Sequence, residues 1–143
     1  MAWAGTWNDL GTILSTELDG LAVDANSSLG PEIDNSGTLY LYGLIELSWN
    51  GGIDPAIGSF LDILMVAAPD GTLYGDGVSN TTPGLQRSVT NLEISPTTAT
   101  RVIHSSVFLL EPSKLKFIAT NKCDLAIPAA SGHTIKLYGN NVG

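Results

Sequence analysis

Positive charge is absent from the first 86 residues of this chain, which contain no Lys and no Arg. Charge of either sign is scarce throughout. The 143 residues include 6 basic and 14 acidic side chains, a net charge of −8, and only 14 % are charged, against roughly 25 % in an ordinary soluble domain. A nucleic-acid-binding surface needs an excess of Lys and Arg to displace counterions from phosphates, and an anionic membrane needs a polybasic patch. Neither partner is expected. The single cysteine, Cys123, excludes an internal disulfide, so the fold has to stand on its core. No apolar run reaches the roughly 18 residues of a membrane helix, and Phe60–Ala68 carries Asp62 in its middle. The N-terminus lacks the basic region and apolar stretch of a secretory signal, so synthesis in a cytosol is expected.

What is present is apolar and rich in turns. Hydrophobic residues make up 43 %, with 16 Gly and 7 Pro, enough for one domain with a real core. The acidity is lopsided. Eleven carboxylates lie in residues 1–86, whereas Arg87, Arg101, Lys114, Lys116, Lys122 and Lys136 share residues 87–143 with only Glu93, Glu111 and Asp124. Such asymmetry suggests an interaction surface, unless the fold interleaves the two halves and mixes their charges in space.

Leu10, Ile13, Leu14, Leu18 and Leu21 fall at helical spacing, with Thr6 or Asn8 placed to cap them, so a short amphipathic helix is predicted over residues 7–19. Gly20 ends it, and the turn-rich stretch 25–37 follows. From Thr38 to Trp49 the period becomes two, with Leu39, Leu41, Ile45, Leu47 and Trp49 on the apolar side and Tyr40 and Tyr42 opposite. Further strands are predicted at 59–67, 91–95, 100–110, 114–120, 125–128 and 134–138. Glu111-Pro112-Ser113 is short enough to join two of them as a hairpin. Pro69-Asp70-Gly71-Thr72 reads as a turn and residues 75–86 as an exposed loop. The result is an all-β chain, a β-sandwich or jelly roll with one short N-terminal helix or arm. Residues 1–35 form the arm and 36–143 the sandwich.

Reactive chemistry is thin. His104 and His133 have no HExxH, HxH or CxxC partner, no Ser sits in GxSxG, and the Asp70–Asp76 segment lacks calcium-loop spacing. No catalytic group, metal or cofactor is expected. The candidate functional residues are contact residues. Trp3, Trp7, Leu10 and Leu14 belong to the arm, and Tyr40 and Tyr42 form a strand pair offering area at low entropy cost. Lys114 and Lys116 are placed to face an acidic partner.

Three blocks carry a family resemblance: DNSGTLYLYGLIELSW, FLDILMVAAPDGTLYGDG and RVIHSSVFLLEPSKLKFIATNKCDLAIPAASGHTIKLYGNN. Preceded by TILSTELDGLAVDANSSLG, they resemble small virion structural proteins of tailed bacteriophages in their L-Y-L-Y strand core, PDGT turn, P-x-K-x-K-F strand and LYG-N ending. The likeness spans residues 7–141 and is structural rather than catalytic. It implies a decoration, or cement, protein on the capsid surface, bound to the major capsid protein and to itself as a homotrimer. An alternative within the same class is a tail- or baseplate-associated protein that recognises a glycan receptor.

Overall fold

The period-two stretch ending at Trp49 is the centre of the molecule. In the computed structural model, which describes residues 7–68 and 87–141, the described strands are β1 (Asn8–Leu14), β2 (Ile33–Asp34), β3 (Tyr42–Trp49), β4 (Phe60–Ala68), β5 (Arg87–Glu93), β6 (Arg101–His104), β7 (Phe108–Leu109), β8 (Lys114–Asn121) and β9 (Thr134–Asn140). They form two antiparallel sheets. The first runs β1-β9-β3-β6, with β7 also on β3, and the second runs β2-β8-β4-β5. Along β3 every odd residue is buried and every even one half-buried, as a sheet with one face on a core requires.

The core lies between the sheets. Ile45, Leu47, Trp49, Ile135 and Leu137 from the first sheet meet Leu61, Ile63, Met65, Leu115, Phe117 and Ala119 from the second. Each of the larger side chains contributes about 2 kcal/mol by leaving water. The second sheet is also covered outside, where Leu29 lies over Leu64, Val66 and Ile118. The fold is therefore the expected β-sandwich.

The predicted helix over residues 7–19 is replaced by β1 and a single 3-10 turn at Thr16–Leu18. Gly11 has φ +111, which no helix accepts. The register of β1 on β9 shifts between Asp9 and Gly11 and again between Thr12 and Leu14. Each shift adds a residue, as β-bulges do, so Leu10, Ile13 and Leu14 reach the core from a strand, and Leu18 from the 3-10 turn that follows, while keeping a helix-like spacing. The segment read as an arm is built into both sheets: β1 is an edge of the first, and Ile33 pairs with Leu115 in the second.

Three further expectations fail locally. The 100–110 strand is interrupted at Ser105, whose N–H donates to the Ile45 carbonyl while its Oγ accepts from the Ile45 N–H. Glu111-Pro112-Ser113 is not a hairpin. It crosses between sheets, since Leu109 pairs with Tyr42 while Lys114 pairs with Ala68 and Asp34. Residues 125–128 are a loop, tied by Ile127 N–H to the Leu21 carbonyl and by Gly20 N–H to the Pro128 carbonyl. The turn at 69–72 and the loop at 75–86 lie outside the described residues.

Candidate interaction surface

One end of the first sheet is organised by a single buried side chain, Asn35. Its amide nitrogen donates to the carbonyls of Tyr40 (2.8 Å) and Glu111 (2.9 Å), and its Oδ1 accepts from Tyr40 N–H (2.9 Å) and Thr38 Oγ1 (3.0 Å). Its backbone N–H donates to Ser113, and its carbonyl accepts from Leu39 N–H. Asn35 thus closes the 35–40 turn on itself and locks it to the 111–113 crossover. The same turn begins with Asp34, which accepts from Ser36 N–H and Oγ. Those two hydrogen bonds lower its carboxyl pKa.

The fixed turn displays apolar groups. Leu39 is held at φ +54, a left-handed conformation that a side chain resists by about 1–2 kcal/mol. It is 55 % exposed and Leu41 50 %, beside Val107 at 40 % and Leu109 at 59 %. The two segments touch through Leu110 N–H, which donates to the Leu41 carbonyl, and Leu109 lies directly opposite Tyr42. Leu41 N–H is bound in turn by Asn141 Oδ1. Leu39 and Leu41 carry the parity of the apolar face of β3, but the strand begins only at Tyr42, so they are not drawn into the core.

Tyr40 and Tyr42 part company for the same reason. Tyr40 packs against the core, with its ring beside Leu10 over Gly139, whereas Tyr42 lies on the outer face. On that face Leu44 is opposite Tyr138, so Tyr42 and Tyr138 are diagonal neighbours. One row along, His104 Nε2 and Glu46 Oε2 are 2.9 Å apart.

The remaining candidates fall elsewhere. Trp3 lies outside the described residues, and Trp7 is half-buried at the start of β1. Leu14 is completely buried, which removes it from any contact surface. Lys114 lies 3.6 Å from Glu32 of the same chain, and Lys116 is half-buried opposite Val66. Lys122 pairs with Asp24 at 3.0 Å and Lys136 with Asp9 at 3.6 Å. In all three pairs an acid from the first half meets a lysine from the second. The lopsided charge of the sequence is therefore mixed in space by the fold.

Burial suppresses the two groups that would be reactive in water. It pushes the Cys123 thiol up to about 11, with Asp124 adding to the effect, and pulls His133 down to about 4 against the opposing influence of Asp19. Among the described residues, no group of three His, Cys, Asp or Glu side chains is placed to hold a metal ion. Asn35 and the exposed leucines were missed by sequence reasoning. The only local signal was the turn string Asn35-Ser36-Gly37.

No family model matches this chain, and no curated protein matches it. Solved structures of remote similarity are found. A carbohydrate binding module from Cellvibrio mixtus lichenase 5A is 14 % identical over 93 % of this chain and 99 % of its own, with a TM-score of 0.43. The C-terminal family 22 carbohydrate binding module of a Clostridium thermocellum xylanase is 12 % identical over 98 % and 88 %, with a TM-score of 0.42. Murine APRIL is 10 % identical over 71 % and 67 %, with a TM-score of 0.38. The two-sheet architecture stands on the strand register itself.

Proposed function

We propose that this chain is a non-catalytic virion protein of a tailed bacteriophage, which decorates the capsid and stabilises it by bridging neighbouring major capsid subunits, as a homotrimer on the shell. The resemblance of residues 7–141 supports the class. One observation supports the docking surface: Leu39, Leu41, Val107 and Leu109 stand exposed together on segments that Asn35 holds rigid. Exposed apolar groups gathered in one place are characteristic of contact sites. A turn ordered before contact also loses less entropy on docking. Contacts repeated around a shell add through multivalency, and a protein that binds only the assembled shell stabilises it by mass action.

The purified protein is expected to co-sediment with complete phage heads at a fixed copy number. The Leu41→Asp/Leu109→Asp double variant is expected to lose that binding while keeping its circular dichroism. A second reading, glycan recognition from a tail or baseplate, is favoured by the diagonal Tyr42 and Tyr138 pair beside Glu46 and His104. Sedimentation with tails rather than heads, together with a glycan signal lost on Tyr42→Ala, would select it. Binding to neither particle overturns both readings.

A further inference from the structure

Among the described residues the two sheets end in four edges, and an open edge presents a row of backbone N–H and C=O groups with which another chain can pair. Three of the four are defended. β1 carries two register shifts and the exposed Asp9, β2 is two residues long and holds Asp34, and β5 has a register shift of its own with Arg87 and Glu93 at its ends. The fourth edge is made by β6 and β7, which follow one another along the same side of β3. From Val102 to Leu109 it contains no Lys, Arg, Asp, Glu or Pro.

The ladder fixes where the backbone of this edge points. The Ile45 carbonyl accepts from Ser105 N–H, and the Leu41 carbonyl, just before β3, accepts from Leu110 N–H. The odd residues of β3 therefore turn their backbone groups toward β6 and β7, and the even ones toward β9. Val102, His104 and Leu109 lie opposite Ser48, Glu46 and Tyr42, which are all even. Their own N–H and C=O groups point away from the sheet. The register on β3 advances by one residue at Ser105, yet Ser105 meets both backbone groups of Ile45, so the ladder runs on from β6 into β7. Val102, at 56 %, His104 and Leu109 are all exposed.

A row of alternating outward donors and acceptors is complementary to the backbone of an extended polypeptide, and side chains along the row select its sequence. Here they are Val102, Val107 and Leu109, with His104 as the only titratable group, so the added strand is apolar rather than charged. Val107 and Leu109 also belong to the leucine-bearing surface, which makes the edge continuous with the contact proposed above. Resting on that capsid reading, we propose that an extended apolar segment of the capsid shell adds to the β6–β7 edge as a further strand of the first sheet.

The test measures amide hydrogen exchange in the full chain, free and bound to purified phage heads. The amides of Val102, His104 and Leu109 are expected to exchange fast in the free chain and to become protected on heads. Two variants then separate backbone from side chain. Leu109→Ala keeps the outward N–H, whereas Leu109→Pro removes it without breaking a bond to β3. The proline variant is expected to bind heads about tenfold more weakly than the alanine variant, the worth of one hydrogen bond. Should Leu109→Pro fail to fold, the exchange measurement decides alone. No binding of the unaltered chain to heads overturns the capsid reading and this inference with it. Binding without protection of the three amides, or equal binding by two folded variants, overturns strand addition and leaves the capsid reading standing. Protection already present in the free chain, together with a dimer in solution, makes a second copy the occupant and overturns the proposal as well.

Discussion

Gly43 on β3 and Gly139 on β9 face each other across the ladder, and neither fills its share of the inner face. Their neighbours use the space. A Cβ on Gly139 would lie 2.8 Å from the Tyr40 ring and 2.9 Å from Leu10, and one on Gly43 would lie 2.9 Å from both Phe108 and Leu110. The glycine pair thus admits the groups that close this end of the core directly behind the exposed leucines.

Gly139→Ala is accordingly expected to destabilise the fold by about 1–3 kcal/mol, the usual cost of overpacking, despite the better strand propensity of Ala. A urea titration measures it. An unchanged midpoint would mean that Tyr40 does not pack there.

Asn35 and Leu39 make opposite predictions. Asn35→Ala strands the carbonyls of Tyr40 and Glu111 and is expected to cost about 2–3 kcal/mol. Leu39→Gly relieves the positive φ and is expected to leave the fold as stable or up to about 1 kcal/mol more stable, while weakening particle binding. Reduced stability together with full binding in Leu39→Gly would remove Leu39 from the docking surface.

His133 gives the fold an acid-sensitive term. Its folded-state pKa, near 4, lies below the ordinary value of about 6.5, so the unfolded chain takes up the proton first as pH falls. The stability from this group is complete above pH 6.5 and is lost progressively down to pH 4, at most about 3 kcal/mol. Replacing it by His133→Gln should flatten that part of the curve of melting temperature against pH. An identical slope in the variant would assign the acid sensitivity to other groups.

The three lysine pairs should contribute little individually. Lys114→Glu is expected to cost about 0.5–1 kcal/mol by opposing Glu32, and Glu32→Lys in the same chain to restore it. If the exchanged pair also keeps particle binding, Lys114 has no partner on the shell.

Much of the sandwich was legible because β3, β8 and β9 alternate apolar and polar residues and β4 is an apolar run of strand length. The inward sets Ile45-Leu47-Trp49, Leu61-Ile63-Met65 and Leu115-Phe117-Ala119 are buried as their parity requires. The N-terminal strand was hidden because its two bulges reproduce helical spacing. A three-residue connection serves a hairpin and a crossover equally well, so Glu111-Pro112-Ser113 could not reveal that it changes sheets. At the surface, parity misled where the strand stops, turning Tyr40 inward and Leu39 and Leu41 outward. Asn35 was illegible because its six hydrogen bonds reach residues up to 78 positions away.

Pairing of β1 with β9 sets Asn8 beside Gly139, so the outer ends of the two strands emerge side by side. A tension applied between Asn8 and Asn140 peels the ladder one rung at a time, because antiparallel hydrogen bonds lie across the strands and are met in succession. Force along these ends would open the sandwich as a zipper, whereas force spread over the Asn35 turn and the 107–111 segment would load several bonds together. As a mechanical element, the molecule is gripped better by the Asn35 turn and the 107–111 segment than by the strand ends Asn8 and Asn140 beside them.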